Sequence, residues 1–344
     1  MADAAPAARA LVRRRRKGRA MVADRSQGVS VQIDPEIRYF LDEMKARWAV
    51  HPPLGSLDFP GQRAVCEQVR SRWTEGGPEM GRKVERVFDP GAGSLRVRVY
   101  LPDGVTTPAP ALVYLHGGGF TLFSIDTHDR LMREYAAAGG FAVVGVDYPL
   151  SPEHKYPVAL DRIEALMLWL REHGDELGID GSRLAMGGDS AGANLSFATA
   201  LRLRDRGEGG LVRAILSNYG YFSNIISDES ENSFGGPTSN LDRDEALGYY
   251  ANYLTDMARE CNDPLVCPLL ADMADMPPVF LVIPQCDLLT QQSHMMAERL
   301  RAAGVETVDT VYAGATHSFL EAMSVAAVAR EAIADGAAFV AVRL

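Results

Sequence analysis

Short stretches, some nearly continuous apolar runs and others alternating apolar with polar residues, take turns along this chain with longer stretches in which apolar residues return every third or fourth position. The short stretches fall at about 84–88, 95–100, 111–115, 141–147, 183–187, 213–218, 279–283 and 307–312. These are the patterns of strands, buried on both faces where the run is continuous and on one face where it alternates. The helical spacing falls at about 128–138, 157–173, 191–206 and 290–303, with a last stretch near 324–341. From the third strand onward, strand and helix alternate. That order predicts an α/β fold with an eight-stranded, mostly parallel sheet covered by helices on both faces. The first two strands have no helix between them and should pair antiparallel.

Ahead of the sheet, Asp34-Pro35 has the cap and first-turn proline of a helix start. Ile37, Phe40, Leu41, Met44 and Trp48 then recur at helical spacing, and a second helix is expected from about Gln62 to Trp73. The chain therefore divides into a tail (1–25), a helical segment (26–80) and an α/β domain (81–344). The helical segment packs either as a plain hairpin or as a cap over a site. Residues 219–262 break the rhythm: Ser223 to Asn240 reads as a long loop, and Asp242 to Tyr253 as a helix. Long loops of this kind tend to be functional, so this segment is expected to join the cap or pocket wall.

Composition narrows the function. At 344 residues and 47% apolar content, the chain has an ordinary globular make-up. Its net charge of −10 disfavours a nucleic-acid partner for the folded part. No run is long enough to span a membrane, and a cytoplasmic location is expected. The first 20 residues carry seven basic side chains against one Asp, centred on Arg13-Arg-Arg-Arg-Lys17. With no apolar stretch after it, this run reads as a disordered solvated tail rather than an export signal. Four cysteines (Cys66, Cys261, Cys267, Cys286) do not make a disulfide scaffold in a chain this long. Cys261 and Cys267 are close enough in sequence to pair, but reduced thiols fit better.

Two glycine-rich strings carry the chemistry. His116-Gly117-Gly118-Gly119-Phe120 follows the strand at 111–115, and Gly188-Asp189-Ser190-Ala191-Gly192 follows the strand at 183–187 and opens a helix. A G-x-S-x-G string alone arises by chance roughly 0.2 times per chain of this composition, so the strand before each string is what makes them informative. The first string can offer backbone N–H groups to a developing oxyanion, and the second can present a serine on a sharp turn. A serine nucleophile needs a base and an orienting acid. His317 follows the last strand. Asp287 follows the strand at 279–283, whereas Asp272 and Asp275 precede it. His294 falls in a helical stretch, and His51, His128, His154 and His173 lie outside any loop that follows a strand after Ser190. Cys286, beside Asp287, has no strand-to-helix turn around it and reads as packing.

These residues, with Asp147-Tyr-Pro-Leu-Ser-Pro-Glu-His154, Tyr156-Pro157, Asn194-Leu195, Asp287-Leu-Leu289 and His317-Ser-Phe319, resemble the bacterial hormone-sensitive-lipase-like esterases of the α/β-hydrolase superfamily over roughly 80–344. The resemblance implies Ser190 as nucleophile, His317 as base and Asp287 as its orienter. It implies an oxyanion hole from the N–H groups of Gly118, Gly119 and Ala191. It also implies hydrolysis of short- to medium-chain esters without metal or organic cofactor. Related enzymes often dimerise through the last strand, which leaves a homodimer open. Candidate pocket residues are Phe120, Phe123, Asp189, Tyr219, Phe222, Tyr249 and Tyr253. The chain departs from the family at Pro149 (usually Arg), Ser151 (Ala), Ala193 (Gly), Leu288 (Pro) and Gln291-Gln292 (an acidic pair). These changes should rearrange contacts beneath the site and around the Asp287 turn without touching the three principal residues. An amide or formamide hydrolase, or an acyltransferase, would use the same residues. A non-catalytic small-molecule receptor would need the base to be lost, and His317 is present.

Overall fold

The computed structural model describes residues 32–236 and 240–344, and the basic tail expected at 1–25 lies outside them. Eight strands form one sheet: β1 (Arg82–Phe88), β2 (Leu95–Leu101), β3 (Ala109–Leu115), β4 (Ala142–Asp147), β5 (Ile179–Asp189), β6 (Val212–Asn218), β7 (Val279–Cys286) and β8 (Thr307–Thr316). Their order is β1-β2-β4-β3-β5-β6-β7-β8. β1 and β2 pair antiparallel, β2 pairs antiparallel with β4, and every pairing from β4 to β8 is parallel.

Alternation along the strands explains why both faces are covered. In β3, Ala111, Val113 and Leu115 join one apolar cluster, and Leu112 and Tyr114 join the other. Successive side chains of a strand point to opposite faces, so a strand buried on both sides must be apolar throughout. The ten helices among the described residues are α1 (Pro35–Trp48), α2 (Phe59–Thr74), α3 (Asp129–Gly139), α4 (Val158–His173), α5 (Ala191–Asp205), α6 (Asp228–Phe234), α7 (Arg243–Tyr253), α8 (Met257–Glu260), α9 (Thr290–Ala302) and α10 (Ala327–Ala341). Leu160, Leu201 and Met296, from α4, α5 and α9, sit with the buried core, and the last two belong to the Val113 cluster. Tyr135 and Ile333, from α3 and α10, belong to the Tyr114 cluster, as do Phe40 of α1 and Trp73 of α2. No helix among the described residues is long and apolar enough to cross a membrane.

Two expectations need correction. The stretch read as one long loop contains α6, capped by Ser227, whose hydroxyl accepts from the Ser230 N–H. This helix buries no residue, so it has no apolar period to reveal it. The last strand, read at 307–312, runs on through residues 313–316, so β8 ends at Thr316, directly before His317. The start of α1 is as the cap predicts: the Asp34 carboxylate accepts from the N–H groups of Glu36 and Ile37.

Candidate active site

Four loops converge where the parallel strands present their carboxyl ends, the usual place for a site in such sheets. Ser190 sits between β5 and α5 at φ 53° and ψ −115°. A side chain held in this sparsely populated region costs about 1–3 kcal/mol. The turn is locked by hydrogen bonds from the Ser190 N–H to Asn218 O (2.9 Å) and from the Tyr221 N–H to Ser190 O (3.2 Å). It also requires Gly192, where a Cβ would run into the Leu115 carbonyl oxygen.

The Ser190 hydroxyl lies 3.1 Å from His317 Nε2. On the other side of the ring, Nδ1 is 2.8 Å from Asp287 Oδ2. The carboxylate can only accept, so Nδ1 carries the proton and Nε2 is free to take one. The second Asp287 oxygen accepts from the Leu289 N–H at 2.9 Å. Burial pushes the His317 pKa down, but the charge and hydrogen bond of Asp287 outweigh it, and the net shift is upward. Tyr219, at φ 39°, places its ring 5.1 Å from the His317 ring, edge to face.

The loop after β3 is tied to the serine turn by Asp189. This buried carboxylate accepts from the Gly117 N–H (3.0 Å) and the Tyr114 hydroxyl (2.9 Å), and it lies 3.4 Å from His128 Nε2. Burial pushes its pKa up, but His128 and the Tyr114 hydroxyl more than offset that and hold it below the usual range. His116 stacks on Tyr148 at 4.3 Å, and burial drives its pKa down to about 3, so it is neutral and structural. Gly118 and Gly119 have φ of 112° and 59°. Their N–H groups donate to no acceptor among the described residues. Ala191 is the first residue of α5, so its N–H has no partner within the helix.

Gly118, Gly119, Ser190 and His317 line one cavity of about 390 Å³. Phe123, Asp189 and Tyr249 also line it. The remaining four aromatic candidates do not, which corrects the expected pocket. Phe120 stacks face to face on Tyr253 at 4.0 Å behind the loop, Phe222 packs on Phe197 of α5, and Tyr219 backs His317. All four are essentially inaccessible. Aromatic residues after strand ends turn either toward a cavity or into the core, and spacing does not distinguish the two. Sequence reasoning missed Tyr221, Leu41, Met44, Trp48, Arg70 and Glu245, which do line the cavity. For Leu41, Met44 and Trp48 the apolar stripe of α1 was the available signal. His128, passed over because it precedes Ser190 in the chain, stands beside Asp189.

The departures from the family pattern have visible contacts. The Ser151 hydroxyl donates to Phe120 O at 2.9 Å. The Gln292 carbonyl oxygen accepts from the N–H groups of Phe222 and Ser223, and its amide donates to Ser223 O and Ile225 O. This amide thus fastens α9 to the loop after β6. Arg63 of α2 donates to Thr121 O and Ser151 O, both at 2.9 Å, fixing the helical segment to the loop after β3. All four cysteines are buried free thiols. Among the described residues, His128, Asp189 and Glu321 have ligand-type atoms within 4.8 Å of one another. Arg70 forms an ion pair with Glu321, and two donors besides His128 occupy Asp189, so these side chains are already matched without a cation.

Comparison with known proteins gives consistent matches. Residues 112–321 match the family model described as the alpha/beta hydrolase fold. An acetyl esterase of Salmonella paratyphi A is 34% identical over 318 residues, covering 90% of this chain and 97% of that one. An esterase of Pyrobaculum calidifontis has 30% identity and a TM-score of 0.81, over 90% of this chain and 98% of that one. An ester hydrolase from the metagenome of Lake Arreo, solved with a bipyridine phosphonate derivative, has 29% identity and a TM-score of 0.83, over 90% and 99% of the two chains.

Proposed function

Because the chain belongs to the α/β-hydrolase-fold family, among its hormone-sensitive-lipase-like carboxylester hydrolases, we propose that it cleaves short- to medium-chain esters through Ser190, His317 and Asp287. The observation that carries this reading is the continuous relay from hydroxyl to imidazole to carboxylate facing a cavity. The acetyl esterase relatives and the modest cavity favour small acyl groups.

In the first step His317 Nε2 takes the Ser190 proton as Oγ attacks the ester carbonyl. The carbonyl oxygen becomes an oxyanion against the N–H groups of Gly118, Gly119 and Ala191, each worth roughly 3 kcal/mol to the transition state. The turn at Ser190 and the two glycines at positive φ hold nucleophile and donors in place before substrate arrives, so little reorganisation remains for the reaction. The protonated imidazole, stabilised by Asp287, then donates to the leaving alcohol. Water, deprotonated by the same ring, attacks the acyl-serine, and Ser190 regains its proton as the acid leaves. Helices α1 and α2 act as a cap: Leu41, Met44, Trp48 and Arg70 wall one side of the cavity, leaving room for the attacking water.

The test is direct. The purified chain should hydrolyse 4-nitrophenyl acetate with a burst, a phosphonate should label Ser190, and Ser190→Ala should abolish both. Parallel assays on acetanilide and formamide substrates distinguish ester from amide preference. Absence of both Ser190 labelling and turnover of any acyl substrate would turn the reading to a receptor.

A further inference from the structure

The cavity contains one charge that acyl transfer does not use. Arg70 of α2 is only 3% exposed, yet it lines the cavity with Ser190, Gly118 and Tyr249. Its guanidinium carbon lies 4.6 Å from the centre of the Phe123 ring. Phe123 abuts Gly118, where a Cβ would meet its ring carbon at 2.8 Å. The charge therefore stands one aromatic ring away from an amide assigned above to the oxyanion.

Its partners do not exhaust it. Arg70 forms an ion pair with Glu321, which stands in the turn Phe319–Ser324 just after His317. That carboxylate also lies 3.8 Å from His128 Nε2. A guanidinium presents five N–H donors and no acceptor, and the Arg70 Nε–H finds no acceptor among the described residues. A guanidinium with donors to spare in a cavity wall favours a ligand oxygen that accepts from it over a group that cannot. Burial lowers the Arg70 pKa to about 10, so the group remains cationic at neutral pH. The apolar side chains of Leu41, Met44, Trp48 and Leu122 lower the polarity around it and strengthen any such bond.

We propose that Arg70 is a specificity-determining residue that donates hydrogen bonds to an oxygen-bearing group of the substrate, a carboxylate or hydroxyl set apart from the scissile ester. The proposal rests on the reading of Ser190 as nucleophile. The group recognised must be an acceptor because the guanidinium can only donate, and its planar fork suits a carboxylate or a pair of oxygens. The acceptor belongs to either the acyl or the alcohol portion, and paired substrates tell the two apart.

The experiment compares kcat/KM within two pairs of matched shape, using the full chain. On the acyl side the pair is 4-nitrophenyl hemisuccinate and 4-nitrophenyl 4-methylpentanoate. On the alcohol side it is 2,3-dihydroxypropyl acetate and 2-methylbutyl acetate. The wild type is expected to favour the oxygen-bearing member of at least one pair by about tenfold or more. Arg70→Met should bring that ratio to near one, and Arg70→Lys should retain part of it. Each ratio is measured within a single preparation, so it does not depend on the folded fraction. If Arg70→Met is insoluble, the double variant Arg70→Met/Glu321→Gln removes both charges and serves instead. Ratios unchanged by Arg70→Met in both pairs would overturn the proposal. So would an equal loss on all four substrates, which would reduce Arg70 to a clamp between α2 and the His317 turn. Failure of the esterase reading would look different, as no Ser190-dependent turnover of any of the four.

Discussion

Replacing Asp287 by Asn tests the relay with almost no change of shape, and the structure dictates which way the new amide must point. One carboxylate oxygen accepts from the buried Leu289 N–H at 2.9 Å, and the other faces His317 Nδ1 at 2.8 Å. In Asp287→Asn the amide oxygen must keep facing the Leu289 N–H, because the flipped rotamer would set two buried donors against each other at about 1–3 kcal/mol. The amide NH₂ then faces Nδ1, which can answer only by accepting. The ring proton moves to Nε2 and confronts the Ser190 hydroxyl, so the base can no longer take the proton it must remove. A tautomer error of this kind costs about 10⁴ in kcat in the serine-protease precedent, which corresponds to about 5.5 kcal/mol of transition-state stabilisation. The same change removes the charge that raises the His317 pKa. Burial, the largest influence remaining on it, should then move the residual activity limb to lower pH. Stopped-flow hydrolysis of 4-nitrophenyl acetate between pH 5 and 10 reads both effects, with a thermal melt confirming the fold. A folded Asp287→Asn protein within tenfold of wild-type kcat would refute the assignment of the acid.

Three further outcomes are expected. Because the protonated imidazole is inactive and its pKa is raised above 6.5, kcat/KM of the wild type should rise with pH and at pH 6.5 remain below half of its alkaline plateau; a midpoint well below 6.5 contradicts this. Asp189→Ala leaves the Gly117 N–H and the Tyr114 hydroxyl without their acceptor, each at about 1–3 kcal/mol, so unfolding free energy should fall by about 2–6 kcal/mol in a urea titration; a loss under 1 kcal/mol means these donors find other partners. Gly192→Ala forces a methyl into the Leu115 and His116 carbonyls, and little soluble protein should form; normal yield with normal activity would show that the turn can shift.

The strands and helices were legible because their signal is local. The eight strand-like stretches correspond to β1–β8, and the helical periods to α3, α4, α5, α9 and α10. A buried parallel strand must be apolar on both faces, and a covering helix needs an apolar stripe, so the order of residues carries both. Helix α6 escaped because it buries nothing. The cavity walls were less legible. Phe120 and Phe123 are three residues apart, both at positive φ, yet one lies under Tyr253 and the other lines the cavity. Nothing in their spacing could have separated them, since the difference comes from α7 packing over one ring and Arg70 reaching the other.

The order of residues alone specified the turn chemistry: glycines where a Cβ would strike backbone, a serine between strand and helix, and an acid and a base each after its own strand. It did so because these requirements are met within a few residues of chain. Only the folded molecule decided that residues 190, 287 and 317 would come within hydrogen-bond distance, that Asp189 would bind the β3 loop to the serine turn, and that the helical segment would bring Arg70 into the cavity. Those contacts span dozens to hundreds of positions. They arise from the strand order and the packing of both faces, which no local stretch encodes.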